Sequence, residues 1–145
     1  MKRVLGLTGL FLSLISLLPE PAAAQQRYYT VGVAGYDTVA FFTENEAVLG
    51  IRAHAVEHDG VTYLFSSEEN RDLFKETPEQ YLPQYGGWCA YAMAFKAYVR
   101  GDPEYWAIVD GRLYFNDHGS HGKWQAETTT FIADGDAFWA SEAAR

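Results

Sequence analysis

Hydrophobic and polar positions change their period several times along this chain, and each change marks an element. After Lys2 and Arg3, Val4 to Leu18 is apolar except for Gly, Ser and Thr. Pro19-Glu20-Pro21 then ends any helix, and Ala22-Ala23-Ala24 supplies a small-residue cleavage pattern. The apolar run holds about 15 residues, short of the roughly 20 that a spanning helix needs. Residues 1–24 therefore read as a cleavable signal peptide, with no stable membrane anchor, and residues 25–145 as one mature domain.

From 25 to 35 the chain reads as loop, with Gly32 and Gly35 as flexible points. Tyr36 to Phe42 is apolar and short, and Asp37 is placed to cap a brief helix over it. His54 to His58 and Val61 to Phe65 flank Asp59-Gly60, a strong hairpin signal. Ser67 opens a helix whose first turn is acidic, and Pro78 starts a helical turn that runs to Tyr81 before Pro83. Gly86-Gly87 releases Trp88 to Phe95, apolar on every face and expected to be buried. A second hairpin is predicted from Trp106–Val109, Asp110-Gly111 and Leu113–Phe115. The tail from 123 to 144 has helical spacing, with Phe131, Phe138 and Trp139 directed inward. Two hairpins with interspersed helices describe a small α+β domain, and no internal repeat is read from the sequence.

Charge narrows the partners. The formal charge is −8, and loss of Lys2, Arg3 and Glu20 with the signal makes it −9. Such an acidic domain repels phosphate backbones and anionic membrane surfaces, so nucleic acid is not an expected partner.

Cys89 is the only cysteine, so no internal disulfide exists and any thiol exchange requires an external thiol. Its position near an expected helix start favours a thiolate, whereas its aromatic neighbours Trp88, Tyr91 and Phe95 favour burial and a protonated thiol. His118-x-x-His121 places two imidazoles on one side of a helical turn, and Asp117 is close enough to add an oxygen. Cys89 with His118 and His121 is thus a candidate site for a transition metal such as copper, zinc or iron. His54 and His58, about 13 Å apart on one strand, are too distant to share an ion and read as exposed. No phosphate-cradling glycine loop, nucleophile elbow, zincin helix or dinucleotide fingerprint is present.

Several motifs in fixed order carry a resemblance: Gly35-Tyr36-Asp37-x-Val39-Ala40-Phe41-Phe42; Gly60-x-x-Tyr63-x-Phe65-x-Ser67-x-x-Asn70-Arg71-x-x-Phe74; Pro78-x-x-Tyr81; and Gln84-Tyr85-Gly86-Gly87-x-Cys89-Ala90-Tyr91. From about residue 30 to about residue 140 the chain resembles exported YHS-domain proteins of Gram-negative bacteria. That resemblance implies a periplasmic or secreted location and, in the branch with the Gly-Gly-x-Cys-Ala-Tyr element, a role for the chalcogen atom, because some members carry selenocysteine there. Metal-handling YHS modules carry thiols at the positions of Ser66 and Asn70, and this chain does not. The expected function is a metal-associated or small-ligand binding module centred on Cys89. The alternatives are a redox protein using Cys89 as its reactive thiol, with an external thiol or periplasmic protein as partner, and a structural domain without a site.

Overall fold

Both aspartate-glycine pairs make the tight reversal that their sequence predicts. In the computed structural model, which describes residues 31–144, Asp59 and Gly60 have φ of 49° and 74°, and Asp110 and Gly111 have φ of 50° and 74°. Two left-handed residues in succession match the twist of the flanking strands. β1 (Ile51–His58) pairs antiparallel with β2 (Val61–Phe65), and β3 (Asp102–Val109) with β4 (Arg112–Asn116). The expected signal peptide lies outside the described residues.

Among the described residues six α-helices accompany the hairpins: α1 (Ala40–Thr43), α2 (Glu68–Glu76), α3 (Pro78–Tyr81), α4 (Ala90–Ala94), α5 (His121–Ala126) and α6 (Thr128–Ala143). Ser67 caps α2 by accepting the Asn70 N–H at 3.1 Å, and Pro78 sits in the first turn of α3 where its missing N–H costs nothing. The α+β expectation is met.

The absence of a repeat is overturned. The register Ile51↔Phe65, Ala55↔Leu64 and Val56↔Tyr63 recurs 51 residues later as Asp102↔Asn116, Trp106↔Phe115 and Ala107↔Tyr114, with the bulge at the same place. Ahead of each hairpin, a left-handed turn runs through Val33, Ala34 and Gly35 (φ 50°, 54°, 90°) and through Tyr85, Gly86 and Gly87 (φ 55°, 61°, 91°). Tyr36 N–H then returns to the Val33 carbonyl at 3.1 Å, and Trp88 N–H to the Tyr85 carbonyl at 3.2 Å. Val31 bridges Thr62 in parallel, as Pro83 bridges Leu113. Each half is thus a turn, a short helix and a bulged hairpin, with a further helix after it. Few side chains at matching positions of the two halves are identical.

β4 divides the interior. Leu113 and Phe115 point into one core with Phe41, Phe65, Phe74 and Tyr81, whereas Tyr114 points into a second with Tyr85, Trp88, Met93 and Trp124. Alternation of this kind follows from the two-residue period of a strand buried on both faces. Phe41 of α1 joins the halves, with its ring 5.0 Å from Trp106 and 5.3 Å from Phe115. Phe131, Phe138 and Trp139 of α6 pack on the second core, as their spacing predicts.

Two expectations fail locally. Phe95 is 60% exposed, because α4 ends at Ala94 and the chain turns outward after it. His54 and His58 are half-buried, and the His58 ring meets the Phe74 edge at 5.7 Å.

Candidate functional site

Asp37 follows the first left-handed turn, directly after Tyr36 in extended backbone, and its carboxylate meets the start of α1. Oδ1 accepts the N–H groups of Val39 (2.9 Å) and Ala40 (3.2 Å). Oδ2 accepts the Ser66 N–H (2.8 Å), the Ser66 hydroxyl (2.7 Å) and the Asn70 amide (2.8 Å). The residue is fully buried, and five donors hold it. The capping role expected of Asp37 is therefore part of a larger one, a seat for a buried acid that ties α1 to the end of β2 and to α2.

Cys89 occupies the matching seat of the second half. Its N–H donates to Val99 at 2.9 Å, as that of Asp37 donates to Val48 at 2.8 Å. Around Sγ stand Asp117 Oδ2 at 3.3 Å, Ser120 Oγ at 3.4 Å and Asn116 Oδ1 at 3.9 Å. The residue is fully buried. Burial pushes the thiol above its ordinary value, while the Ser120 hydroxyl and the backbone N–H groups of Ala92 and Asp117 favour the thiolate. Asp117 is held below the usual carboxylate range, first by the Ser120 hydroxyl, against its own burial, and further by Cys89 and the Gly119 N–H. The resting pair is a thiol donating to a carboxylate, and the low thiol pKa that a helix start suggests is not present.

Asp117 and Ser120 also reach the surface. With Tyr91, Ala92, Phe95, Val99 and Lys123 they line a groove of about 500 Å³. A second groove of about 640 Å³ has Arg100, Asp102, Asp117 and His118 on its wall, so Asp117 borders both. Cys89 lies one layer beneath the first groove, behind Asp117 and Ser120.

His118 and His121 do not join this cluster as partners of the sulfur. Both imidazoles face Tyr105, at 5.1 and 5.8 Å between ring centroids. Among the described residues no group of three or more His, Cys, Asp or Glu side chains is placed to hold a metal ion. The set Cys89, His118 and His121 is thus not assembled as a metal centre, because the thiol is turned to Asp117 and Ser120. Asn116 and Ser120 were not singled out by sequence, and Asp117 only as an accessory oxygen. The available signal was the recurrence of spacing: Ser66 follows Asp37 by 29 residues, and Asp117 follows Cys89 by 28.

Residues 43–85 match the model of the YHS domain. A YHS domain is therefore present. It spans β1, β2, α2 and α3 and ends before Cys89. No curated protein and no solved structure matches the chain. No described helix is long and apolar enough to cross a membrane.

Proposed function

We propose that this is an exported small-ligand-binding module, built on a YHS domain, whose site is the groove over Cys89, Asp117 and Ser120. One observation carries the reading: Asp117 Oδ2 accepts from both Cys89 and Ser120 at the wall of a groove also lined by Tyr91, Phe95, Val99 and Lys123. An acceptor of full charge beside exposed aromatic surface suits a small organic molecule with an apolar body and a cationic, hydrogen-bond-donating head. The acidic chain attracts the same charge.

Calorimetric titration of residues 25–145 with 2-phenylethylamine tests it. Saturable binding is expected, weakened about tenfold or more by Asp117→Asn and by Phe95→Ser. Absence of saturable heat at millimolar probe, or binding indifferent to both substitutions, would reject the reading.

A further inference from the structure

Two seats that follow matching left-handed turns hold different atoms. In the first, a carboxylate with two oxygens takes five hydrogen bonds. In the second, one sulfur stands 3.4 Å from Ser120 Oγ and 3.3 Å from Asp117 Oδ2, with the backbone N–H groups of Ala92 and Asp117 favouring its anionic form. Ala92 corresponds to Ala40, and Asp117 to Ser66. Tyr91, the counterpart of Val39, has its N–H diverted to Asn116 Oδ1 at 3.0 Å because the single sulfur does not take it. Asn116 is fully buried, its Oδ1 lies 3.9 Å from the sulfur, and its Nδ2 has no hydrogen-bond partner among the described residues. A buried amide without an acceptor is costly, and here it stands beside the atom whose counterpart carries two more acceptor lobes.

We infer that Cys89 is a site of oxidation by hydrogen peroxide to the sulfinate, and that the second seat holds this anion as the first holds the Asp37 carboxylate. A sulfinate places two oxygens on sulfur, in the arrangement of an aspartate side chain. One oxygen meets Ala92 N–H, as Asp37 Oδ1 meets Ala40 N–H. The other meets Asp117 N–H and Ser120, as Asp37 Oδ2 meets the backbone and hydroxyl of Ser66. Rotation of the Asn116 carboxamide supplies Nδ2 and frees Tyr91 N–H, completing the set.

The chemistry closes without a second cysteine. In the first step the Cys89 thiol passes its proton to Asp117, the S–O bond forms and the peroxide O–O bond breaks. The leaving hydroxide takes the proton from Asp117, giving the sulfenic acid and one water. No thiol of this chain is available to condense with it. A second peroxide forms the second S–O bond, releases another water and leaves sulfinic acid. As the stronger acid it gives its proton to Asp117, which then donates to the sulfinate as Ser66 donates to Asp37. Ala92, Asp117 and Ser120 are shared by the seat and the groove, so two side chains in contact with the sulfur also line open surface. The inference stands on the seat and is independent of what the groove binds.

Intact-mass and fragment spectrometry of peroxide-treated residues 25–145 reads the outcome. The folded protein is expected to gain about 32 Da at Cys89, not reversed by dithiothreitol, and to stop there, whereas urea-unfolded protein proceeds to about 48 Da. Fragmentation separates this from sulfoxide at Met93. The oxidised protein should melt at or above the temperature of the reduced one, and Cys89→Asp should fold at least as stably as Cys89→Ser. No oxidation of Cys89 in the folded state, continuation to the sulfonate there, a lowered melting point after oxidation, or a Cys89→Asp chain that fails to fold while Cys89→Ser folds would each overturn the inference.

Discussion

Cys89 stands in the second half where Asp37 stands in the first, each two residues beyond a glycine with φ near 90° and each donating its N–H to a valine carbonyl, Val99 and Val48, at 2.9 and 2.8 Å. The turn before each seat and the backbone bond that anchors it are shared, while α4 begins directly after Cys89 and α1 three residues after Asp37. What they hold differs because Ser66, which donates to Asp37, is replaced in the second half by Asp117, which accepts.

Removing the first acid strands its donors. Asp37→Ala is expected to cost about 3 kcal/mol or more, since hydrogen bonds to a charged group are worth about 1.5–3 kcal/mol each and several buried donors lose their acceptor. Urea denaturation of the variant against the wild type measures it. A loss under about 1 kcal/mol would mean that water replaces the carboxylate.

Gly50 and Gly101 are expected to behave alike, because they occupy matching positions. A Cβ at Gly50 would stand 2.7 Å from Leu64 Cβ and against the Leu64 carbonyl, and one at Gly101 would stand 2.7 Å from Phe115 Cβ and against the Gly87 carbonyl. Each alanine substitution should cost about 1–3 kcal/mol by overpacking. Parallel melting curves test the repeat directly, and a cost at only one site would contradict it.

The C-terminal helix is fastened by charge as well as by packing. Arg112 grips Asp136 through Nη1 at 2.9 Å and Nη2 at 2.7 Å, and Tyr85 donates to the same carboxylate at 2.8 Å. Both charged side chains are well exposed, so solvent screening limits the ion pair to about 1 kcal/mol or less. Arg112, then Tyr85, hold the Asp136 carboxyl below its ordinary 3.8 against its own burial, which makes this contribution present above that value and lost as pH falls through the folded pKa. Asp136→Asn should flatten the acid limb of a stability profile while leaving pH 7 stability slightly reduced.

At the alkaline end the sign is opposite. Burial raises the Cys89 thiol above 9.0 and, with the negative charge of Asp59 adding to it, takes Tyr63 from 10.0 to about 12. Tyr114 also rises to about 12 by burial. These groups hold protons more tightly when folded, so their stability is complete below 9.0 and falls as pH climbs toward the folded values. Urea midpoints should drop above pH 9, and Cys89→Ser should remove the earliest part of that drop. A midpoint unchanged to pH 11 would refute it.

Local elements were legible wherever one residue type dictates the backbone. Asp-Gly forced both hairpin turns, Ser67 and Pro78 set helix starts, and the spacing of Phe131, Phe138 and Trp139 placed the inner face of α6. The repeat was not legible, since its signature is a series of backbone angles and strand registers. The residues in its two seats, Asp37 and Cys89, do not resemble each other as letters.

By itself the sequence determined the α+β class, the lone thiol and the acidic charge, because composition and short-range pattern suffice for each. Only tertiary structure decided the company of that thiol. Asp117 and Ser120 are brought to Cys89 across 28 and 31 residues by the β3–β4 hairpin, and His118 and His121 are turned to Tyr105 instead. A side chain's partners depend on which strand end returns beside it, and that is set by hairpin register and the packing of the two cores, which no local window contains.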